Sequence, residues 1–263
     1  MDRTNVRATP KQRGTSAQPR SAISRVITSC KQAARAVQVN VGRRLLLRGL
    51  HGVSDVRLSS PDFDQILENI RNAGTSSLPH FRNGYKFEGG LRLQQNPTEF
   101  AALCVYLRTH GPYATYLEIG SAGGGTCRFL TEAVGFRQVY IVDDGKHPDA
   151  CYQADNLRHV PNLQRFVGDS HSPAAADFLR QHVIDPLDVI FVDGDHSYGG
   201  AWLDAKLALR FSRPGTVLVF HDTAACRGVE LAWLRSVRKK LIRPLAEYVG
   251  DEVPLGIGLG EVL

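Results

Sequence analysis

The chain has 263 residues, 43% hydrophobic and 22% charged, which is enough to bury a full core and excludes a collagen-like, wholly disordered or membrane-embedded protein. Its net charge of +6 is concentrated: residues 1–50 hold eleven Lys or Arg against the single acid Asp2, a charge of +10, which leaves −4 on the other 213 residues. Five scattered cysteines without a Cys-x-x-Cys pair fit neither a disulfide framework nor a thiolate zinc site, and no run approaches the roughly 18 to 20 apolar residues of a membrane span, so a reducing, cytoplasmic setting is expected.

Residues 1–20, rich in Arg, Thr, Ser, Gln and Pro, read as a disordered basic tail. From Ser21 the pattern changes. Ile23, Val26, Ile27, Cys30, Ala33, Ala34, Val37 and Val41 recur at helical spacing with Arg25, Lys31 and Arg35 between them, predicting a basic amphipathic helix. Such a helix packs as an appendage or dimer contact, lies on a membrane surface, or belongs to an organellar targeting sequence. The basic arm lacks interleaved aromatic residues for base stacking, which disfavours nucleic acid as a partner.

Pro61–Arg71 predicts a short helix, Asn72–Ser77 a loop, and the stretch to about residue 90 a lid or accessory layer, in which Arg82, Tyr85, Lys86 and Phe87 either line an acceptor pocket or simply pack. Asn96–Leu107 is an amphipathic helix with Pro97 at its first position. Beyond it, strands are expected at 116–119, 139–142, 163–167, 189–192, 217–220 and 257–262, alternating with helices. That alternation is the pattern of a parallel sheet covered by helices on both faces, hence a Rossmann-like α/β domain over 91–263, preceded by an N-terminal helix and accessory segment over 21–90.

The first run leads into a glycine cluster, Leu117-Glu-Ile-Gly-Ser-Ala-Gly-Gly-Gly125, followed by a helix-like segment. Glycines let a strand-to-helix turn take up positive φ and let a ligand approach the backbone, while the helix N-terminus offers free N–H groups. This marks a nucleotide-type cofactor cradle, with Glu118, Gly120, Ser121, Gly123 and Gly124 as candidate cofactor residues. Ala122 occupies the second glycine position of a dinucleotide fingerprint, which disfavours a nicotinamide oxidoreductase.

In open α/β sheets ligands bind beyond the carboxyl ends of the strands. After the second run come Asp143 and Asp144, about twenty-four residues past the turn, where an acid accepts from ribose hydroxyls. After the third come Asp169 and Ser170, where a carboxylate can accept from an adenine amino group. Each of these residues also serves elsewhere as a turn former or helix cap. The fourth run ends in Asp193-Gly-Asp-His196 and the fifth in His221-Asp222. If those strands are neighbours, Asp193, Asp195, His196, His221 and Asp222 gather at one sheet edge, unless Asp193 and Asp222 merely cap the next helices. Three carboxylates need a counter-charge. A divalent cation on Asp193, Asp222 and His221 supplies one, Mg²⁺ if oxygens dominate and Mn²⁺, Fe²⁺ or Zn²⁺ if the imidazole ligates.

The glycine turn, Phe191-Val-Asp-Gly-Asp-His-Ser-Tyr198 and Pro214-Gly-Thr-Val-Leu-Val-Phe-His-Asp222 together resemble class I S-adenosylmethionine (SAM)-dependent methyltransferases of the Methyltransferase-24 type, related to the cation-dependent small-molecule O-methyltransferases. The resemblance spans residues from about 90 onward. It implies a doubly wound, seven-stranded, mostly parallel sheet with SAM over the glycine turn and a small-molecule hydroxyl acceptor beyond the fourth and fifth strands. Asp193 stands where the relatives place a metal-binding acid, His196 where they place a lysine base, and His221-Asp222 where they carry Asp-Asn. On this reading His196 is the preferred base, His221 the second choice, and Asp195 a further catalytic candidate. The alternatives are a non-catalytic binding protein on the same fold and a nucleic-acid methyltransferase, the latter lacking the (Asp/Asn)-Pro-Pro-Tyr signature after the fourth strand.

Overall fold

The computed structural model describes residue 43 and residues 45–74, 90–251 and 253–263. The basic tail, the amphipathic helix expected over 21–41 and the pocket candidates Arg82, Tyr85, Lys86 and Phe87 lie outside the described residues. Residues 46–263 form one compact unit. In chain order its elements are α1 (Val53–Ser59), α2 (Phe63–Asn72), α3 (Pro97–His110), β1 (Thr115–Ile119), α4 (Gly125–Val134), β2 (Gln138–Asp143), a 3₁₀ turn (Pro148–Tyr152), α5 (Gln153–Leu157), β3 (Leu163–Val167), α6 (Pro173–His182), β4 (Leu187–Val192), α7 (Tyr198–Leu209), β5 (Ser212–His221), α8 (Arg227–Arg238), β6 (Ile242–Tyr248) and β7 (Ile257–Val262).

The sheet has seven strands in the order β3-β2-β1-β4-β5-β7-β6, parallel except for β7, which runs antiparallel to both β5 and β6. The chain leaves β1 toward β2 and β3, then returns to place β4 on the other side of β1. Loops at the carboxyl ends therefore diverge between β1 and β4, opening the crevice in which such sheets bind ligands. One apolar layer joins α1–α4 to one face of the sheet, and a second joins α6–α8 to the other. Phe63, Ile66, Leu67 and Ile70 of α2 share the first layer with Phe100 and Leu103 of α3, so residues 63–70 contribute to the core. Among the described residues no helix is long and apolar enough to cross a membrane.

Local chemistry explains the boundaries. Asn96 caps α3, its side-chain oxygen accepting from the N–H groups of Thr98 (3.0 Å) and Glu99 (3.3 Å), with Pro97 at the first helical position. All six expected strands are present. Coverage of every strand on both faces was also expected, but β3 lies at the sheet edge, pairs only with β2, and leaves Gln164, Arg165 and Val167 exposed. β6 was not among the strands read from the apolar runs: Arg243, Pro244 and Glu247 interrupt its apolar pattern, which an edge strand with a register shift at Pro244 tolerates.

At Gly120 the end of β1 packs against the backbone of the β4 loop. It has φ +83°, and a β-carbon there would lie 2.3 Å from the Asp193 carbonyl oxygen. Gly135 has a similar φ of +86° but open space around it. Gly120→Ala is therefore expected to destabilise the fold by about 2 to 4 kcal/mol in urea denaturation, combining strain with a backbone clash, and Gly135→Ala by only about 1 kcal/mol. Equal losses would mean that the β1–β4 contact adds nothing to the backbone strain.

Candidate active site

At the carboxyl ends of β1–β4 lies a cleft of about 770 Å³. Its lining includes the backbone of the glycine turn, Glu118, Asp143, Asp144, Asp169, Ser170 and the segment Asp193–His196. Gly124 is the exception among the expected cofactor residues. It is the N-cap of α4, and its α-carbon packs on Leu157 instead of lining the cleft. Arg92, Gln94, Thr126, Lys146, His147 and His171 also line the cleft and were not anticipated. Gln94 donates to Asp149 (3.1 Å), and Arg92 stacks on Tyr152 at 3.6 Å, so residues ahead of α3 meet the loop after β2.

The two acids after β2 have different surroundings. Asp143 is buried, and its Oδ2 accepts from the N–H groups of Ser121 (2.7 Å) and Ala122 (3.1 Å). Its Oδ1 accepts from the Gly145 N–H (2.8 Å) and from Gln153 Nε2 (3.1 Å). A carboxylate offers about four lone-pair sites, so Asp143 is fully engaged by the glycine turn, Gly145 and Gln153. It lines the cleft as expected of a ribose acceptor, with its oxygens already engaged by protein groups. Asp144, half-exposed and paired with Lys146 Nζ at 2.8 Å, is the acid that remains open to the cleft. Lys146 holds the Asp144 carboxyl below the usual range.

Glu118 lies at the floor of the cleft, buried, with the Tyr116 hydroxyl donating to its Oε2 at 2.5 Å. Burial pushes its carboxyl up to about 8, against the opposing effect of the Tyr116 hydroxyl. The folded protein thus keeps this proton after the unfolded chain has lost it. The stabilisation is fully present below about 4.5, the ordinary glutamate value, and is lost as pH rises toward 8. The melting temperature of the ligand-free protein should fall across this window, and Glu118→Gln should flatten that fall. A Glu118→Gln protein with the same slope would remove Glu118 as its source.

On the other side of the crevice, the register pairing Val192 with Phe220 brings Asp193 beside His221. His221 Nδ1 lies 3.0 Å from Asp193 Oδ1 and 3.6 Å from Asp222 Oδ1. His196 Nε2 lies 3.4 Å from both Asp193 Oδ1 and Asp222 Oδ2. Burial disfavours a charge on His221, but the Asp193 and Asp222 carboxylates outweigh it and push its pKa up to about 9. Asp193 is the acid of the pair held low, at about 2, where the two histidines overcome its burial, whereas burial raises Asp222. The imidazolium of His221 therefore offsets the charge of the Asp193 and Asp222 carboxylates beside it. Asp195 stays outside this cluster: its Oδ1 accepts from the Ser197 N–H at 2.7 Å, just ahead of α7. Of the five residues expected to gather, Asp193, His196, His221 and Asp222 come together, whereas Asp195 instead shapes the loop.

Asp222 has φ +65°, an uncommon conformation for a residue other than glycine. Its loop is braced from behind. Thr223 donates its N–H to the Gly256 carbonyl (3.0 Å), and the buried Glu99 carboxylate of α3 accepts from the N–H groups of Gly250 (2.7 Å), Leu255 (3.2 Å) and Gly256 (2.8 Å). Glu99 appeared in the sequence only as one residue of an amphipathic helix. Its partners lie about 150 residues away.

Residues 117–223, which span the glycine turn and both strand-end clusters, match the family model described as a methyltransferase domain. The matched segment is similar to methyltransferase domains, and the sheet around it has their Rossmann-like fold. The chain resembles in fold an O-methyltransferase of Bacillus cereus solved with S-adenosylhomocysteine (SAH), with TM-score 0.54 and 18% identity over 80% of this chain and 95% of that one. It also resembles the O-methyltransferase TomG of Streptomyces achromogenes, involved in tomaymycin synthesis and solved with SAM, with TM-score 0.51 and 18% identity over 85% and 96% of the two chains. An uncharacterized protein of Acanthamoeba polyphaga mimivirus is 26% identical over 118 residues, 41% of this chain. The match covers about half the length of that relative.

Proposed function

We propose that the methyltransferase domain transfers the methyl group of SAM to a hydroxyl of a small molecule. The observation that carries this reading is the position of His196: it lines the cleft over the glycine turn, is 44% exposed, and hydrogen-bonds toward Asp193. Methyl transfer from a sulfonium requires the acceptor oxygen to lie in line with the methyl carbon and sulfur and to lose its proton on attack. His196 is the group placed to take that proton, and Asp193 and Asp222 steady the imidazolium that results. For the cofactor, the glycine turn receives the methionine portion, Glu118 faces its ammonium group, Asp144 accepts from the ribose, and Asp169 and Ser170 border the adenine.

The donor set also fits a divalent cation. Asp193, His221 and Asp222 present ligand atoms within 4.8 Å of one another, and the mixture of two carboxylates with an imidazole suits an ion that takes nitrogen beside oxygen. These three residues would hold such an ion once His221 has given up its proton, and the ion when bound would supply Lewis-acid activation of an acceptor hydroxyl.

Calorimetric titration of SAH into the purified protein, in EDTA and then in excess Mg²⁺ or Mn²⁺, tests the reading. Stoichiometric binding is expected in EDTA, and tighter binding with one of the ions would support metal assistance. No binding from demonstrably folded protein in any condition would overturn the assignment in favour of a non-catalytic binding protein.

A further inference from the structure

Asp204 lies mid-way along α7, with no exposed side-chain surface, in a helix whose buried residues are otherwise Gly, Ala and Leu. A carboxylate in such a layer is costly unless its oxygens are engaged. Its Oδ1 receives the Ser170 hydroxyl at 2.6 Å and faces His171 Nε2 at 3.1 Å, both from the loop after β3. Its Oδ2 is buried against the loop after β4, where the Asp195 backbone favours the charged form and a β-carbon on Gly194 would come within 2.9 Å of it. One side chain thus touches both loops that border the cleft at the β3 and β4 ends, and Ser170, His171 and Gly194 all line that cleft.

We propose that Asp204 is a positioning residue for the adenine end of the cofactor site, fixing Ser170 and His171 against the Gly194 backbone so that the slot between the two loops has a set width. The assignment rests on the cofactor reading above. Asp204 touches no cofactor itself. It acts through Ser170 and His171, which explains why a helix of the apolar layer carries an acid at this one turn. The glycine at 194 completes the arrangement, since any side chain there would press on Oδ2 and push the loops apart.

The test measures calorimetric affinity for SAH and for 5′-methylthioadenosine, which keeps the adenosine but lacks the amino-acid portion, together with thermal stability. Asp204→Ala is expected to weaken both ligands by a similar factor, roughly tenfold or more, and Asp204→Asn, which retains an acceptor for Ser170, to stay within about threefold of wild type. Ser170→Ala added to Asp204→Ala should cause no further loss, because the two act through one contact. Wild-type affinity in folded Asp204→Ala, or effects of the two substitutions that multiply independently, would overturn the proposal. If Asp204→Ala does not fold, Ser170→Ala alone should still weaken 5′-methylthioadenosine several-fold, and unchanged affinity there would overturn it equally. Absence of SAH binding by the wild-type protein would instead remove the cofactor reading, and this assignment with it.

Discussion

His196→Ala is expected to lower methyl transfer by at least about a hundredfold while leaving SAH affinity within about twofold of wild type. The asymmetry follows from where the side chain sits. His196 borders the cleft at the β4 end and contacts Asp193 and Asp222, whereas the hydrogen bonds that shape the glycine turn run through Asp143 on the opposite side. The pH dependence sharpens the test. The hydrogen bond to Asp193, its charge and that of Asp222 raise the His196 pKa above the ordinary 6.5, against burial and the His221 charge. A base works only when unprotonated, so the acid limb of the rate profile should lie above pH 6.5. Asp193→Asn should shift that limb toward lower pH as it removes a carboxylate that favours the imidazolium. A His196→Ala protein of normal rate would exclude this side chain from the chemistry and leave His221 as the second candidate.

Legibility in the sequence followed the physics of each element. β1, β2, β4 and β5 are apolar runs that end in glycine or a polar residue because they lie inside the sheet, and that change of composition marked the site. β6 was hidden because an edge strand can carry Pro244 and charges on its open side. Asp193 and His221 were grouped on the supposition that β4 and β5 are neighbours, and the parallel register joins them across 28 residues. The difference between Asp143 and Asp144 was not legible: in sequence they are equivalent acids, and only the alternation of side chains at the end of β2 turns one onto the glycine turn and the other toward the cleft. Asp204 and Glu99 were invisible for a related reason. A single acid in a helical pattern reads as a solvated face, and only packing reveals that its partners belong to loops remote in the chain.

Asp143→Ala should be among the most damaging single substitutions in the domain. It removes the acceptor for three backbone N–H groups, those of Ser121, Ala122 and Gly145, and for Gln153 Nε2, leaving them to find water at a site where Asp143 is 7% exposed. Hydrogen bonds to a carboxylate each contribute about 1.5 to 3 kcal/mol, and they share one side chain, so a loss of about 3 to 5 kcal/mol in urea denaturation is expected instead of their full sum. Asp143→Asn should recover little, because its amide must set N–H groups against N–H groups on one side. SAH binding should disappear with either variant, since the turn that would meet the cofactor is no longer held. Asp144→Ala provides the contrast. Its carboxylate is half-exposed and pairs with the exposed Lys146, an arrangement of little consequence for stability, so its melting temperature should match wild type. Its SAH affinity should nevertheless fall roughly tenfold if it accepts from the ribose. If instead Asp143→Ala folds with wild-type stability and loses only affinity, the clasp is not holding the turn and the ribose role belongs to Asp143. The two variants thus separate an acid that builds the site from one that meets the ligand, a distinction that the adjacent letters of Asp143-Asp144 do not carry.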